Sequence, residues 1–203
     1  VPCLILTTWQ KLIPIFILLS LSAAKSPLFI HLARALSSLI GGLGGLNQAF
    51  LRPLLAYSSI GHIGWILALG TLSTSYSLLY LLIYFIIITP LMLLFYILHL
   101  SSLRQLLALS PISLSSNAAL LILLLSLGGL PPLIGFLPKW LALESFSSSL
   151  FLSSLALVLI LGSLMNLYYY LNICFSMALS SNLLIHSTPP QIGRAHVWTP
   201  VTQ

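Results

Sequence analysis

Residues 76–99 contain no aspartate, glutamate, lysine or arginine and consist largely of leucine, isoleucine, tyrosine and phenylalanine. A helix rises about 1.5 Å per residue, so about 20 such residues cross the ~30 Å hydrocarbon core of a bilayer. The run is continuous rather than alternating, and too long for the ten-residue strands of an outer-membrane barrel. Scanning the chain with the same window predicts six spans, at residues 4–24, 28–46, 54–72, 76–99, 117–146 and 149–178. Composition agrees: 59% of the residues are hydrophobic and only 4% charged, whereas soluble domains carry about a quarter charged residues. The expected fold is an all-α polytopic transmembrane bundle, multi-pass through residues 1–188.

The net charge of +6 arises from seven Lys and Arg against the single acid Glu144. The seven are scattered, which excludes the basic patch that nucleic acid would need. Arg52 and Arg104 fall on one side of the membrane and Lys25 with Arg34 on the other, so the positive-inside count does not choose an orientation. Cys3 and Cys174 are far apart and lack C-x-x-C spacing, so neither a zinc site nor a disulfide framework is indicated. Hydrolysis lacks its parts: there is no acid pair, no ligand cluster and no nucleophile beside a base. The connection at residues 101–117, SSLRQLLALSPISLSSN, has loop composition and is expected to form a short amphipathic turn or helix at the interface.

The two ends stand apart. Val1 begins inside an apolar stretch with no basic start, which reads as an N-terminal truncation rather than a signal peptide. After Pro189-Pro190, the closing IGRAHVWTPVTQ changes composition abruptly. Back-translated with TGA read as Trp, it resembles a common sequencing-adapter sequence. Residues 192–203 are therefore excluded from the expected fold as an artefact, the alternative being a short polar C-terminus of the protein itself, and the message is expected to use a mitochondrial code.

Inside the spans, ionisable groups mark function, because a charge at the bilayer centre costs about 2.5–3.5 kcal/mol on insertion scales. Three places qualify. In TTWQKLIP (7–14), Thr7, Thr8 and Lys11 share one helix face, and Pro14 frees the Gln10 carbonyl beside Lys11; the plainer alternative is a lysine snorkelling to the surface. In LLAYSSIGHIGW (54–65), Ser58 and His62 are four apart, and Gly61 with Gly64 permits close helix approach. His62 could relay protons, or could simply bond Ser58 or a carbonyl in a packed interface. GGLGGLNQ (41–48) lacks the Gly-Lys-Ser/Thr ending of a phosphate loop and reads as packing and a helix end.

The third place is SLGGLPPLIGFLPKW (126–140). Pro131 and Pro132 release the carbonyls of Leu127 and Gly128, and Pro138 releases that of Ile134 if helix persists between them. Together with Gly128 and Gly129 they predict a discontinuous helix, tolerable only inside protein or along a hydrated cavity. Lys139 follows directly. Broken helices bearing an ionisable residue are how secondary transporters build ion sites; the alternative is that Lys139-Trp140 is an interfacial anchor.

TWQK (8–11), GGLNQ (44–48), LRPLLAYSSIGHIGW (51–65), LSLGGLPPLIGFLPKW (125–140) and NLYYYL (166–171) together resemble the NADH dehydrogenase subunit 2 family, the mitochondrially encoded, antiporter-like membrane subunits of respiratory complex I. The resemblance covers nearly everything before the tail. It implies a bundle in the mitochondrial inner membrane, partnered by other complex I membrane subunits and lipid, with no soluble small-molecule substrate. No cofactor is expected on this chain: NADH, FMN, the Fe–S clusters and ubiquinone would belong to the assembled complex. It also implies proton translocation by intramembrane lysines, whose positions fall on Lys11 and Lys139. The family has further helices before TWQK, carrying a glutamate and another lysine. Arg52-Pro53 stands where Arg-Lys is common, and Asn172 where an arginine is usual.

The resulting expectation is a hydrated axis along which Lys11 and Lys139 exchange protons, with His62, serines and ordered water between them. Burial in general disfavours the charged form of a lysine by several units. Two other readings share these residues: a free-standing cation/proton antiporter, and a purely structural membrane subunit.

Overall fold

The computed structural model describes Lys11 and residues 13–17, 27–109, 114–147 and 150–186. Most of the 4–24 span, including Thr7, Thr8 and Gln10, and the whole tail lie outside the described residues; Lys11 and residues 13–17 are helical. The remaining elements are α1 (Pro27–Gly45), α2 (Leu51–Gly70), α3 (Thr74–Ile97), α4 (Leu103–Leu109), α5 (Leu114–Gly128), a 3₁₀ turn (Ile134–Phe136), α6 (Leu137–Phe146) and α7 (Leu150–His186). Among the described residues the only β pairing is an isolated antiparallel bridge between Phe50 and Ser102. Among the described residues, three stretches are long and apolar enough to cross a membrane on their own: Leu51–Gly70, Thr74–Ile97 and Ser153–Leu179.

The helix ends follow local chemistry. α2 has no side-chain cap; its first N–H, from Leu51, donates to the Ser101 carbonyl, and Leu103 N–H donates to Ala49 across the same bridge. That contact places the starts of α2 and α4, with Arg52 and Arg104, at one end of the bundle. α4 opens with a capping box: Gln105 N–H donates to the Ser102 hydroxyl, and the Gln105 amide oxygen accepts from Ser102 N–H. The helical alternative for residues 101–117 thus holds, over seven residues. At the start of α3, the Ser73 hydroxyl accepts from Tyr76 N–H. α3 continues through Pro90, whose missing N–H leaves the Ile86 carbonyl without its usual donor.

α1 packs chiefly on α2 and α7, while α3 is flanked by α2, α5 and α6. The first interface depends on glycine. A Cβ on Gly41 would lie 2.5 Å from Gly61 N and 2.8 Å from the Tyr57 carbonyl oxygen, and one on Gly64 would lie 2.7 Å from Ser37 Oγ. The Gly41 contacts are to backbone and too close for any side chain, so the two helices meet directly there, as small-residue interfaces in membranes do. α1 ends at Gly45, as GGLGGLNQ predicts.

Two apolar clusters form the core. One gathers Leu54, Ile87, Leu91, Leu124, Leu127 and Tyr170; the other gathers Trp65, Leu69, Tyr80, Ala142, Phe146 and Leu159. On α2, the polar band of Ser58, Ser59 and His62, all buried, falls between them. Outward positions such as Leu82, Leu93 and Leu161 are half-exposed apolar side chains, suited to lipid.

Candidate functional site

The expected break is present, and the bonds at its backbone show how the helix closes. Gly129 adopts φ +83°. Its N–H bonds to the Ser126 carbonyl at 3.1 Å, and Leu130 N–H bonds to that of Leu125 at 3.4 Å. This is a Schellman closure, with glycine at the left-handed position where a Cβ would be strained. It leaves unused the Gly128 carbonyl, one of the two released by Pro131 and Pro132. Lys139 Nζ donates to it at 2.9 Å.

Lys139 is only 6% exposed, whereas its neighbour Trp140 is 59% exposed and faces outward. The ammonium lies at the carbonyl end of α5, where the helix dipole favours a cation. Gly129 completes the fit: a Cβ there would stand 2.6 Å from Lys139 Nζ. The expectation for Pro138 is corrected. Helix does not persist between the prolines; the 3₁₀ turn intervenes, and the Ile134 carbonyl is taken by Leu137 N–H. Pro138 instead opens α6, where its missing N–H is harmless. The turn is pressed onto α5 so tightly that a Cβ on Gly135 would overlap the Ser126 carbonyl oxygen.

His62 is buried on α2, yet its partner is neither Ser58 nor a carbonyl. Its Nδ1 bonds the Tyr80 hydroxyl at 2.9 Å, and its ring lies 5.1 Å from that of Tyr84. Both tyrosines come from α3, a helix apolar all round, where periodicity gives no sign of which residues face a histidine. His62 lines the same small space as Gly135 and Pro138, the latter adjacent in sequence to Lys139. Lys11 is half-buried. Ser58 lies beside the phenols of Tyr169 and Tyr170 on α7, and Tyr169 donates to Asn166 at 3.2 Å. Asn166 in turn covers Gly61.

Arg34, read from sequence only as a surface charge, is fully buried. Its Nη1 donates to Thr71 Oγ1 at 3.0 Å, and Thr71 passes the bond on to the Ala68 carbonyl at the end of α2. Cys174 is buried as a free thiol; Cys3 lies outside the described residues. Among the described residues, no three His, Cys, Asp or Glu side chains converge as metal ligands would.

A buried lysine on a helix break, beside a buried histidine, is the kind of site found in ion-translocating membrane proteins. Residues 3–166 match the model of the NADH:quinone oxidoreductase/Mrp antiporter transmembrane family. The chain belongs to this family. The family's curated members include NADH-ubiquinone oxidoreductase chain 2 of Lumbricus terrestris, 44% identical over 87% of this chain and 52% of that protein. The same protein from Oryctolagus cuniculus is 40% identical over 87% and 51%. The chain thus spans about half the length of the curated relatives it matches. Among solved structures, a chain of respiratory complex I from Thermus thermophilus with bound aureothin superposes with a TM-score of 0.63 at 26% identity, covering 80% of this chain and 43% of that one. For this antiporter family member, the described bundle is therefore the membrane-arm fold of complex I.

Proposed function

We propose that this chain is a proton-translocating, non-redox membrane subunit of respiratory complex I in the mitochondrial inner membrane. In this reading it couples NADH oxidation and ubiquinone reduction, carried out elsewhere in the complex, to proton movement through Lys11, His62 and Lys139. Family membership and the relatives' names support the assignment. The observation that carries it is the Lys139 ammonium, buried and bonded to the Gly128 carbonyl at the helix break.

The chemistry follows from burial and from that bond. A carbonyl accepts from an ammonium but gains much less from a neutral amine, so the break favours the charged state while desolvation opposes it. These two effects act in opposite directions on the same ammonium. A positive charge arriving at His62 or Lys11 then tips the balance toward release. The partners in this reading are the other membrane subunits and lipid, with no nucleic acid and no soluble substrate. The redox groups of the complex reside on other subunits.

The test is Lys139→Met in the full-length subunit, within the complex reconstituted in vesicles. The expected result is fewer protons moved per electron. An unchanged ratio removes Lys139 from the path. A full-length subunit that is stable alone and exchanges Na⁺ for H⁺ in liposomes would favour the antiporter reading instead.

A further inference from the structure

Two buried polar atoms near the break have no partner among the described residues: His62 Nε2 and the Tyr84 hydroxyl. Both residues line one small, partly open space between helices, which is also walled by Tyr80, Ile83, Ile87, Ser126, Leu127, Gly135 and Pro138. The space available to the centre of a water molecule is about 10 Å³, which is roughly the room for one water. Its two sides belong to different machinery. On one side are the α2 histidine and the α3 tyrosines; on the other are the last turn of α5, the 3₁₀ turn and the start of α6. Those last segments hold Gly128 and Lys139.

A buried donor or acceptor left unmade costs about 1–3 kcal/mol, and here the two residues that carry such atoms line one water-sized space whose walls are otherwise mostly apolar. We infer that this cavity is a single-water site, held by His62 Nε2 and the Tyr84 hydroxyl, and that Tyr84 is a positioning residue for His62. The inference rests on the proposed proton path and adds to it the group that ties His62 to the broken helix. The site works in either ring tautomer. If Nδ1 carries the proton, it donates to Tyr80 and Nε2 accepts from the water; if Nε2 carries it, Nε2 donates to the water and Tyr80 donates to Nδ1. A water bonds equally well in both directions, whereas a fixed side-chain donor such as an indole would lock one tautomer. Tyr84 supplies a hydroxyl that can likewise donate or accept.

The experiment uses the assembled complex containing the full-length subunit, with Tyr84→Phe compared against wild type and Lys139→Met. Tyr84→Phe keeps the ring against His62 and removes only the hydroxyl. Two readouts are taken: the proton-pumping rate in vesicles, and a high-resolution density map of the cavity. The expected outcome is one ordered water between His62 and Tyr84 in wild type, its loss or displacement in Tyr84→Phe, and a fall in pumping rate of roughly three- to tenfold, the size of one lost hydrogen bond. A wild-type map in which a side chain fills the space overturns the inference. So does Tyr84→Phe pumping at the wild-type rate while Lys139→Met is impaired, a result that leaves the proposed function standing. If neither variant is impaired, the proposed path itself is wrong.

Discussion

Adjacent glycines at the helix break should respond in opposite ways to the same methyl group. At Gly129 the backbone sits at φ +83°, where an L-residue pays roughly 1–2 kcal/mol. A Cβ there would also lie 2.6 Å from Lys139 Nζ and 3.2 Å from its Cδ and Cε, forcing the ammonium off the Gly128 carbonyl. Losing a hydrogen bond to a charged group adds about 1.5–3 kcal/mol, so Gly129→Ala is expected to cost about 2.5–5 kcal/mol in all. One residue earlier, a Cβ on Gly128 would meet Tyr170 Cδ2 at 3.6 Å, an ordinary contact. Alanine is also preferred to glycine in a helix by about 1 kcal/mol. Gly128→Ala should therefore be neutral or slightly stabilising. The assay is the amount of assembled complex that survives graded heating in detergent, together with protons pumped per electron for the survivors. Gly129→Ala should fail on both counts and Gly128→Ala on neither. Equal behaviour of the two variants would refute the reasoning that the left-handed turn and the lysine share one fitted space.

Tyr80→Phe removes the 2.9 Å partner of His62 Nδ1 and should lower the pumping rate while assembly, followed on native gels, stays near normal because the ring is kept. Gly41→Ala sets a methyl against backbone atoms of α2 that cannot give way, so assembly should fall severely. Gly44→Ala meets only the Tyr57 ring, which can swing aside, and should assemble better than Gly41→Ala. Arg34 buries a guanidinium whose Nε and Nη2 find no partner among the described residues, and such a charge is often replaceable by an apolar side chain of similar length. Arg34→Met should accordingly assemble at least as well as wild type, and better than Arg34→Ala, which loses the packing as well.

What could be read from the sequence was whatever covalent chemistry dictates. Pro131 and Pro132 cannot donate, so the helix before them had to end and free its last carbonyls, and the structure ends it at Gly128. The glycines of α1, expected to pack and to end a helix, are of the same kind. What could not be read was which neighbour each residue meets. In a chain that faces lipid outside and leucine inside, hydropathy is the same in both directions: Ile86 is 55% exposed and Ile87 is 5% exposed, yet nothing in the sequence separates them. For that reason the sequence offers His62 only Ser58 on its own helix or a backbone carbonyl as a partner, while nothing in it points to Tyr80 and Tyr84 on α3. The burial of Arg34 was hidden likewise, since it depends on the approach of α1 to the end of α2.

The account depends most on where the Lys139 nitrogen sits in the membrane. A high-resolution density map of the assembled complex with the full-length subunit in lipid would show it directly. The result predicted here is Nζ at hydrogen-bonding distance from the Gly128 carbonyl, within the hydrocarbon thickness and facing the His62 cavity. Density placing Nζ among lipid phosphates, with residues 128–132 outside the apolar band, would contradict it.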